Sequence, residues 1–523
     1  MSITSKPIIQ RASPWPACWA VWVLVGCPFL TSLPQAQINQ FQGGKLALRI
    51  EGNWSPFGFA TNTGARGAMS SVTTLYPSAS SWFGNPAALA DLKGLSTQAD
   101  FFLPGLGLGV SSERTKLLRQ NLRLPIQDFL SSGDNHVDDP VYPDIDMSLY
   151  QSTNVSGFNL AWGTGKFAFG AGVQQPLKGV IDFSAGGLRL GLAMPEDDSD
   201  PASDSVKVLL AGDVIGRMHA TLEDFAVGLA SQPKPWLKIG FTFHRYVANI
   251  DVDGQARLDG VLQRAGQETF FNDPAALYQD DLDAQSRGEI EGGANGFRFG
   301  LAWDIRDYLG LDVAAGLSES MLMRGQVHSE YHMLPAVDPA SSEIFSMDNL
   351  NLTKLTLTQK FSSTMDSVRI LLPWDLAASL RTSLGMVKIN LDYTYFLRDL
   401  GIAYNMEESE DVYDKETKDF RLNAEGGDSV ATTGHRESYR VSLRQQVALG
   451  LQIDQVWIHL GLLDYRFRQP LIDEAAAWKP DFLPFVPTLN MGYFFPIGPR
   501  FNVTVSLLAF PVSLFKTSVE YRY

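Results

Sequence analysis

The sequence predicts an all-β protein: a transmembrane antiparallel β-barrel of about fourteen strands with an N-terminal hatch, or plug, inside its lumen. Three observations carry this. Apolar and polar residues alternate over strand-length stretches, as in SLFKTSVEYRY, where Phe515, Thr517, Val519, Tyr521 and Tyr523 fall on one side and Lys516, Ser518, Glu520 and Arg522 on the other. The connections are alternately short and long, as in outer-membrane barrels. The segment ahead of the first strand is rich in small residues and finds no place in the wall.

The first element is an export signal. Lys6 and Arg11 precede an apolar run over 17–33, so residues 1–36 read as a secretory segment cut near Ala36. Leu24-Val25-Gly26-Cys27 resembles a bacterial lipobox, which keeps a lipid-modified Cys27 as the alternative. Cys18 and Cys27 are the only cysteines, so cleavage near Ala36 leaves neither disulfide nor thiol chemistry.

Residues 37–94 follow as the hatch. They hold the run Gly64-Ala65-Arg66-Gly67-Ala68-Met69-Ser70-Ser71 and end in Asn85-Pro86-Ala87-Ala88-Leu89. Asn is a favoured N-cap and Pro a favoured first helical residue, so Asn85, Pro86 and Ala87 start a short helix. A ring this wide leaves a lumen that side chains cannot fill, which gives the segment its place.

The barrel occupies 95–523. Its expected strands are 95–111, 154–162, 166–175, 217–230, 236–248, 296–305 and 309–323, then 370–383, 386–397, 438–452, 456–468, 486–496, 500–510 and 512–523. Leu237, Ile239, Phe241 and Phe243 alternate with Lys238, Gly240, Thr242 and His244, and Ile389, Leu391, Tyr393 and Tyr395 with Lys388, Asn390, Asp392 and Thr394. Arg440 and Arg444 fall on the polar side of their strand, expensive in a packed core and cheap in a wet lumen. Short turns such as Gly163-Thr164-Gly165 and Leu384-Gly385 alternate with polar stretches over 113–153, 195–205, 251–293, 326–366, 400–436 and 469–484, read as external loops. Trp236, Trp303, Trp374, Trp457, Tyr493 and Tyr521, near strand ends, suit interfacial girdles.

Composition excludes other classes. No stretch past the N-terminus offers the roughly 18 apolar residues of a spanning helix. The formal charge is −15 over 523 residues and no Lys/Arg-rich run occurs, so no nucleic-acid partner is expected. No His-Glu-x-x-His, paired Cys-His or Gly-x-Ser-x-Gly pattern is present, so no enzyme activity, metal or cofactor is expected. His328 and His332 sit at a strand-to-loop junction, and Asp251-Val252-Asp253-Gly254 reads as a turn, lacking the other ligands of a calcium loop. Asn272-Asp273-Pro274-Ala275-Ala276-Leu277 starts a helix in an external loop.

The hatch phrase GARGAMSSVTTLYPSASSWFGNPAALADLKG resembles the FadL/TodX-type family of outer-membrane transporters for long-chain fatty acids and aromatic hydrocarbons. So do FAFGAGVQQP, QPKPWLKIGFTFHRY, GFRFGLAWDIRDYLGLDVAAGLSES and LLPWDLAASLRTSL. The resemblance runs from Phe57 to Tyr523. It implies capture of hydrophobic small molecules at external loops, passage to an apolar pocket, and lateral release into the outer membrane beside an irregular third strand. Gly170, Gly172 and Pro176 are the candidate gate, because glycine weakens pairing and proline removes a ladder donor; the alternative is that small residues make room for the hatch. A related barrel used as a docking or shuttle protein for exported proteins is the rival reading, and a membrane-embedded hydrolase the third. Further expected partners are outer-membrane lipids, anionic surface glycolipid bridged by divalent cations to acidic loops such as Glu196-Asp197-Asp198, whose alternative reading is a solvated face, and the barrel-assembly machinery through C-terminal Tyr523.

Overall fold

The computed structural model describes residues 37–54, 72–103, 108–111, 137–151, 153–195, 205–264, 267–271, 282–333, 359–414, 419–421, 433–468, 477–478, 485–509 and 513–523, with positions 123, 127 and 130. Residues 1–36 with both cysteines, the run 64–71, the acidic 196–198 and the second phrase 272–277 lie outside these.

Strands β1 (Gln37–Gln42) and β2 (Lys45–Trp54) come first, then β3 (Lys93–Phe102), β4 (Leu108–Ser111) and β5 (Asp144–Tyr150). Long hairpins follow: β6 (Asn154–Thr164) with β7 (Phe167–Pro195), β8 (Ser205–Lys234) with β9 (Leu237–Arg264), the short β10 (Gln267–Phe271), and β11 (Leu282–Arg306) with β12 (Leu309–Ser318). Next come β13 (Ser320–Met333), β14 (Gln359–Leu371), β15 (Asp375–Leu384), β16 (Val387–Phe396), β17 (Leu400–Asp414) and β18 (Asp419–Arg421). The chain ends with β19 (Thr433–Ile453), β20 (Val456–Arg468), β21 (Ala477–Trp478), β22 (Val486–Ile497), β23 (Phe501–Ala509) and β24 (Ser513–Arg522).

Pairing runs β3, β6, β7, β8, β9, β11, β12, β15, β16, β19, β20, β22, β23, β24, and β24 returns to β3, with Arg522 opposite Ser96 and Lys516 opposite Phe102. This is a closed antiparallel ring of 14 strands, an outer-membrane β-barrel. Its outer face is apolar: Phe225, Val227, Leu229, Phe299, Trp303, Leu391, Leu449 and Leu460 are all exposed. Its inner face carries Gln98, Asp100, Asn159, Arg298, Asp312, Asn390, His459, Asn490 and Lys516, all buried. Burying that many polar groups is tolerable only where they partner one another or a polar filling.

The strands climb far beyond the membrane. β7, β8 and β9 have 29, 30 and 28 residues, about three times the 9–11 that a crossing needs. Much of the polar sequence read as external loops is therefore strand: β9 runs through Asp251–Gly254, read as a turn, and β13, β14 and β17 extend the sheet above β12, β15 and β16. Above the membrane the outer face turns polar, and apolar-out alternation disappears although the strand continues. On β9, exposed Arg245, Asp253 and Gln255 replace the outward Ile239, Phe241 and Phe243. The expected strand 95–111 is two pieces, β3 in the ring and β4 paired with β5. A bulge between Leu443 and Gln445 resets the period of β19, so Arg444 is exposed and Gln446 is the buried residue.

Residues 37–54, expected within the hatch, are instead wall. β6 and β7 pair only from Gly157–Gln174 down to Gly163–Ala168. Above that level they part, and β2 lies in the gap, antiparallel to β7 (Lys45 opposite Gly186, Trp54 opposite Leu177) and parallel to β5 (Lys45 opposite Asp144, Glu51 opposite Tyr150). β1 continues upward along β7. The Asn53 amide donates to Asn154 Oδ1 at the crotch of the split, and Asn154 Nδ2 to Gln175 Oε1 at 2.6 Å. The bend between β1 and β2 depends on Gly44, whose φ is +64 and where a Cβ would lie 2.6 Å from Gly187 C.

Candidate functional site

Residues 72–92 fill the lumen. Thr74 N donates to Asp312 on β12 at 2.7 Å, Tyr76 Oη to Asn390 on β16 at 3.2 Å, and Ala79 N to Glu520 on β24 at 3.1 Å. Gln98 on β3 donates to Ser80 Oγ at 2.8 Å, and Lys238 on β9 pairs with Asp91 at 2.5 Å. Only a segment inside the ring touches strands on all its sides. Burial pushes the Asp91 carboxyl above its usual range, against the opposing pull of the Lys238 ammonium.

Asn85 caps a 3-10 helix, Pro86–Asp91: its Oδ1 accepts from Ala87 N at 3.1 Å and its Nδ2 donates to Val72 O at 2.9 Å. Pro86, which has no N–H to satisfy, takes the first position. Trp82, Phe83 and Leu89 are wholly buried, and each contributes roughly 1.5–3 kcal/mol by leaving water. Their seat is made of glycine. Gly170 opposes Gly228 across β7 and β8, and Gly240 opposes Gly300 across β9 and β11. A Cβ at Gly170 would lie 2.9 Å from Trp82 Cε2, and one at Gly228 2.8 Å from Trp82 Cε3. At Gly240 it would lie 2.6 Å from Ala87 N, and at Gly300 2.8 Å from Pro86 Cδ.

Arg298 ties seat to segment. Its Nε donates to Gly84 O, and its Nη1 and Nη2 reach Asp375 Oδ1 and Oδ2 at 2.9 and 3.0 Å, with both side chains almost fully buried. Arg298→Met leaves a buried carboxylate without its partner, a loss of about 3–5 kcal/mol. Urea unfolding of the purified barrel is expected to show it, and Arg298→Met/Asp375→Leu to recover most of it.

Above this filling the inner lining changes character. Leu222, Tyr246, Ala248, Val252, Ile290, Ala294, Met321, Met323, Val327, Val368 and Leu372 form one buried apolar cluster on β8, β9, β11, β13 and β14, with Leu372 just past β14. On β9 the switch occurs within one inward step, from Lys238, Thr242 and His244 below to Tyr246, Ala248 and Val252 above. At the boundary His244 Nδ1 lies 3.0 Å from both carboxylate oxygens of Asp224. The result is a buried apolar cluster standing above a polar, plugged floor.

Of the sequence-selected residues, Asn85, Pro86 and Ala87 sit at the seat. Gly170 and Gly172 face the luminal segment, and a Cβ at Gly172 would lie 3.2 Å from Phe83 Cε2. Pro176 sits where the β7–β8 register breaks between Gln174 and Leu177, level with the handover from β6 to β2. His328 lies on β13 opposite Arg287, away from the Asp224–His244 pair. Gly228, Gly240 and Gly300, Arg298–Asp375, Asp224–His244 and β2 were not singled out from sequence. Glycines recurring at inward positions of neighbouring strands were the available signal for the first three.

The fold and its lining define the class, a plugged outer-membrane barrel whose inner face turns apolar above the plug. No protein-family model matches the sequence, and no curated protein does. Among solved structures the chain is similar to a CymD monoaromatic hydrocarbon channel, at 12% identity and a TM-score of 0.41 over 90% of this chain and 98% of that one. It is also similar to the Ralstonia pickettii toluene transporter TbuX (11%, 0.36, over 90% and 98%) and to a Pseudomonas aeruginosa FadL homologue (14%, 0.35, over 90% and 98%).

Proposed function

We propose that this protein is an outer-membrane channel for passive uptake of hydrophobic compounds, long-chain fatty acids or similar molecules, taken in at the extracellular mouth and released sideways through the wall. The observation that carries the reading is the inversion of the lining: apolar cluster above, charged pairs and a packed luminal segment below. An apolar molecule gains by leaving water for contact with that apolar lining, about 25 cal/mol per Å² buried. It gains nothing by descending past Arg298, Asp375 and Lys238, and Trp82 and Leu89 already occupy that path. The wall is the route that keeps it out of water.

The gate is the seam around Pro176. There β6 releases β7, β8 loses register, and β2 takes over as the wall. Gly170 and Gly172 belong to the seat of the luminal segment, so the moving part is the strand above them.

The test is uptake of a radiolabelled long-chain fatty acid by cells that lack their own outer-membrane importer. Expression of this chain is expected to raise the initial rate about tenfold, a lowering of the barrier by about 1.4 kcal/mol. An unchanged rate, with exported protein co-purifying on the barrel, would favour the docking role instead.

A further inference from the structure

At one level of the wall three neighbouring strand pairs lose their ladder together. β12 and β15 pair up to Gly316–Asp375, and pairing resumes between β13 and β14 at Ser320–Leu371. β15 and β16 stop at Asp375–Phe396, and β14 and β17 resume at Leu371–Gly401. β16 and β19 stop at Tyr395–Gln445, and β17 and β19 resume at Leu400–Val441. Carbonyls freed inside a membrane wall need other donors. Arg398 and Trp374 supply them: Arg398 Nε donates to Leu372 O and Nη2 to Ser318 O, both at 2.6 Å, and Trp374 Nε1 donates to Ser318 O at 2.7 Å. The guanidinium lies over the Trp374 ring, 4.6 Å from its centroid. This level is the outer edge of the membrane. β12, β15 and β16 lie below it with 10 residues each, one crossing, whereas β13 and β14 stand above it with 14 and 13. Leu317, Leu322, Trp374 and Leu397 are exposed along this rim, and a tryptophan belongs at such an interface.

Four arginines gather along the rim: Arg398 at the break, Arg444 exposed at the bulge of β19, and Arg369 and Arg324 exposed on β14 and β13 just above. Arg369 stands opposite Leu322 and Arg324 opposite Ser367, so the two arginines are diagonal neighbours, close enough for long side chains to share a ligand. Among the described residues none of the four forms an ion pair, and Glu291, opposite Arg324 on β11, does not close one. Arg217 and Arg257, exposed on β8 and β9, are by contrast paired with Asp182 and Asp259. Like charges gathered at one level repel, and an anion set among them reverses the sign. We propose that this rim is a docking surface for a phosphorylated glycolipid of the outer leaflet, with its phosphates on Arg324, Arg369 and Arg444 and its acyl chains along Leu317, Trp374 and Leu397. A planar guanidinium fork matches phosphate oxygens two at a time. The wall itself calls for the sugar: β13 and β14 rise beside whatever docks here, and a bulky hydroxylated head lies against them where a small phospholipid head stops short. The contact is direct, with no divalent cation between the arginines and the phosphates.

The test is equilibrium binding of fluorescent lipid A, and of the same lipid stripped of its phosphates, to the purified full chain in mild detergent with EDTA present. The wild type is expected to bind the phosphorylated form about tenfold more tightly, the yield of one charge-assisted contact. Arg324→Gln/Arg369→Gln/Arg444→Gln is expected to erase that preference and to leave affinity for the stripped lipid unchanged. Arg398 is kept, because its bonds hold the wall. Arg189→Gln/Arg217→Gln/Arg257→Gln removes the same charge from exposed positions on β7, β8 and β9 and is expected to keep the preference. All six side chains are exposed, and heat-modifiable gel mobility checks that each variant is a folded barrel. Equal loss in the two triple variants would overturn the surface in favour of diffuse attraction. Equal affinity of the wild type for both lipids, or failure of both to bind, would overturn it as well. A preference that needs magnesium and survives the first triple variant would overturn direct contact and move the glycolipid to the acidic loops. Tighter binding of phosphatidylglycerol than of lipid A would overturn the choice of occupant.

Discussion

A chain carrying Gly240→Val and Gly300→Val is expected to conduct like an open pore. The two glycines oppose each other on β9 and β11, and Pro86 and Ala87 rest on the surface that they leave bare. A Cβ at Gly240 would come within 2.5 Å of Pro86 O, and one at Gly300 within 2.9 Å of Ala87 N, both backbone atoms that no rotamer change can move. The ring cannot give way, because each strand is hydrogen-bonded on both sides. The luminal segment must therefore lift off its seat, taking Trp82 and Leu89 away from Gly170 and Gly228. Burial of that apolar surface is lost, about 2 kcal/mol for each large side chain, and so is the Arg298 bond to Gly84. What remains is a ring of fourteen strands lined by Asn390, Asn490, Lys516 and Glu520, which is wet once emptied. Planar-bilayer conductance is expected to rise from near closure to that of a general pore, with entry of hydrophilic antibiotics into expressing cells. A folded variant that stays electrically silent would mean that the segment is not held by these contacts.

The sequence was most legible where the membrane imposes its period. Phe241 and Phe243 against Thr242 and His244, or Leu391 and Tyr393 against Asn390 and Asp392, lie as alternation places them, with the odd-numbered side chains turned outward. The strand count was readable for the same reason, since tight turns punctuate the hairpins, as at Leu384-Gly385, where Gly385 takes a φ of +64. Above the membrane the rule inverts: Val252 faces in and Asp253 out, which a search for apolar-out strands records as loop. Residues 37–54 were misplaced by a different cause. Their partners are β5 and the upper half of β7, far along the chain, and neither a parallel pairing nor a split between neighbouring strands leaves a local mark. The site divides along the same line. Asn85-Pro86 is a local cap and was readable, whereas Asp224–His244 and Arg298–Asp375 exist only once the ring closes.

Uptake is expected to fail when β2 is fastened to β7 and to return on reduction. Among the described strand pairings, β2 holds the parallel one, to β5, in a sheet whose other strand pairs are antiparallel, and parallel ladders are slightly weaker per residue. Of the wall elements beside Pro176, it is thus the one that can leave at least cost, opening the gap between β5 and β7 onto Leu177, which packs against the apolar cluster. Ala47 faces Ser184 and Leu48 faces Phe183, adjacent pairs of which one is the closer, non-hydrogen-bonded kind. Opposed Cβ atoms about 4.5–5.5 Å apart come near the spacing that a disulfide needs. Cysteine pairs at both positions are therefore made in turn, with Cys18 and Cys27 both lying ahead of β1. The oxidised form of the closer pair is expected to lower fatty-acid uptake about tenfold, with barrel mobility on gels unchanged and full recovery in reductant. Complete cross-linking with undiminished uptake would make β2 a fixed stave and move the exit elsewhere.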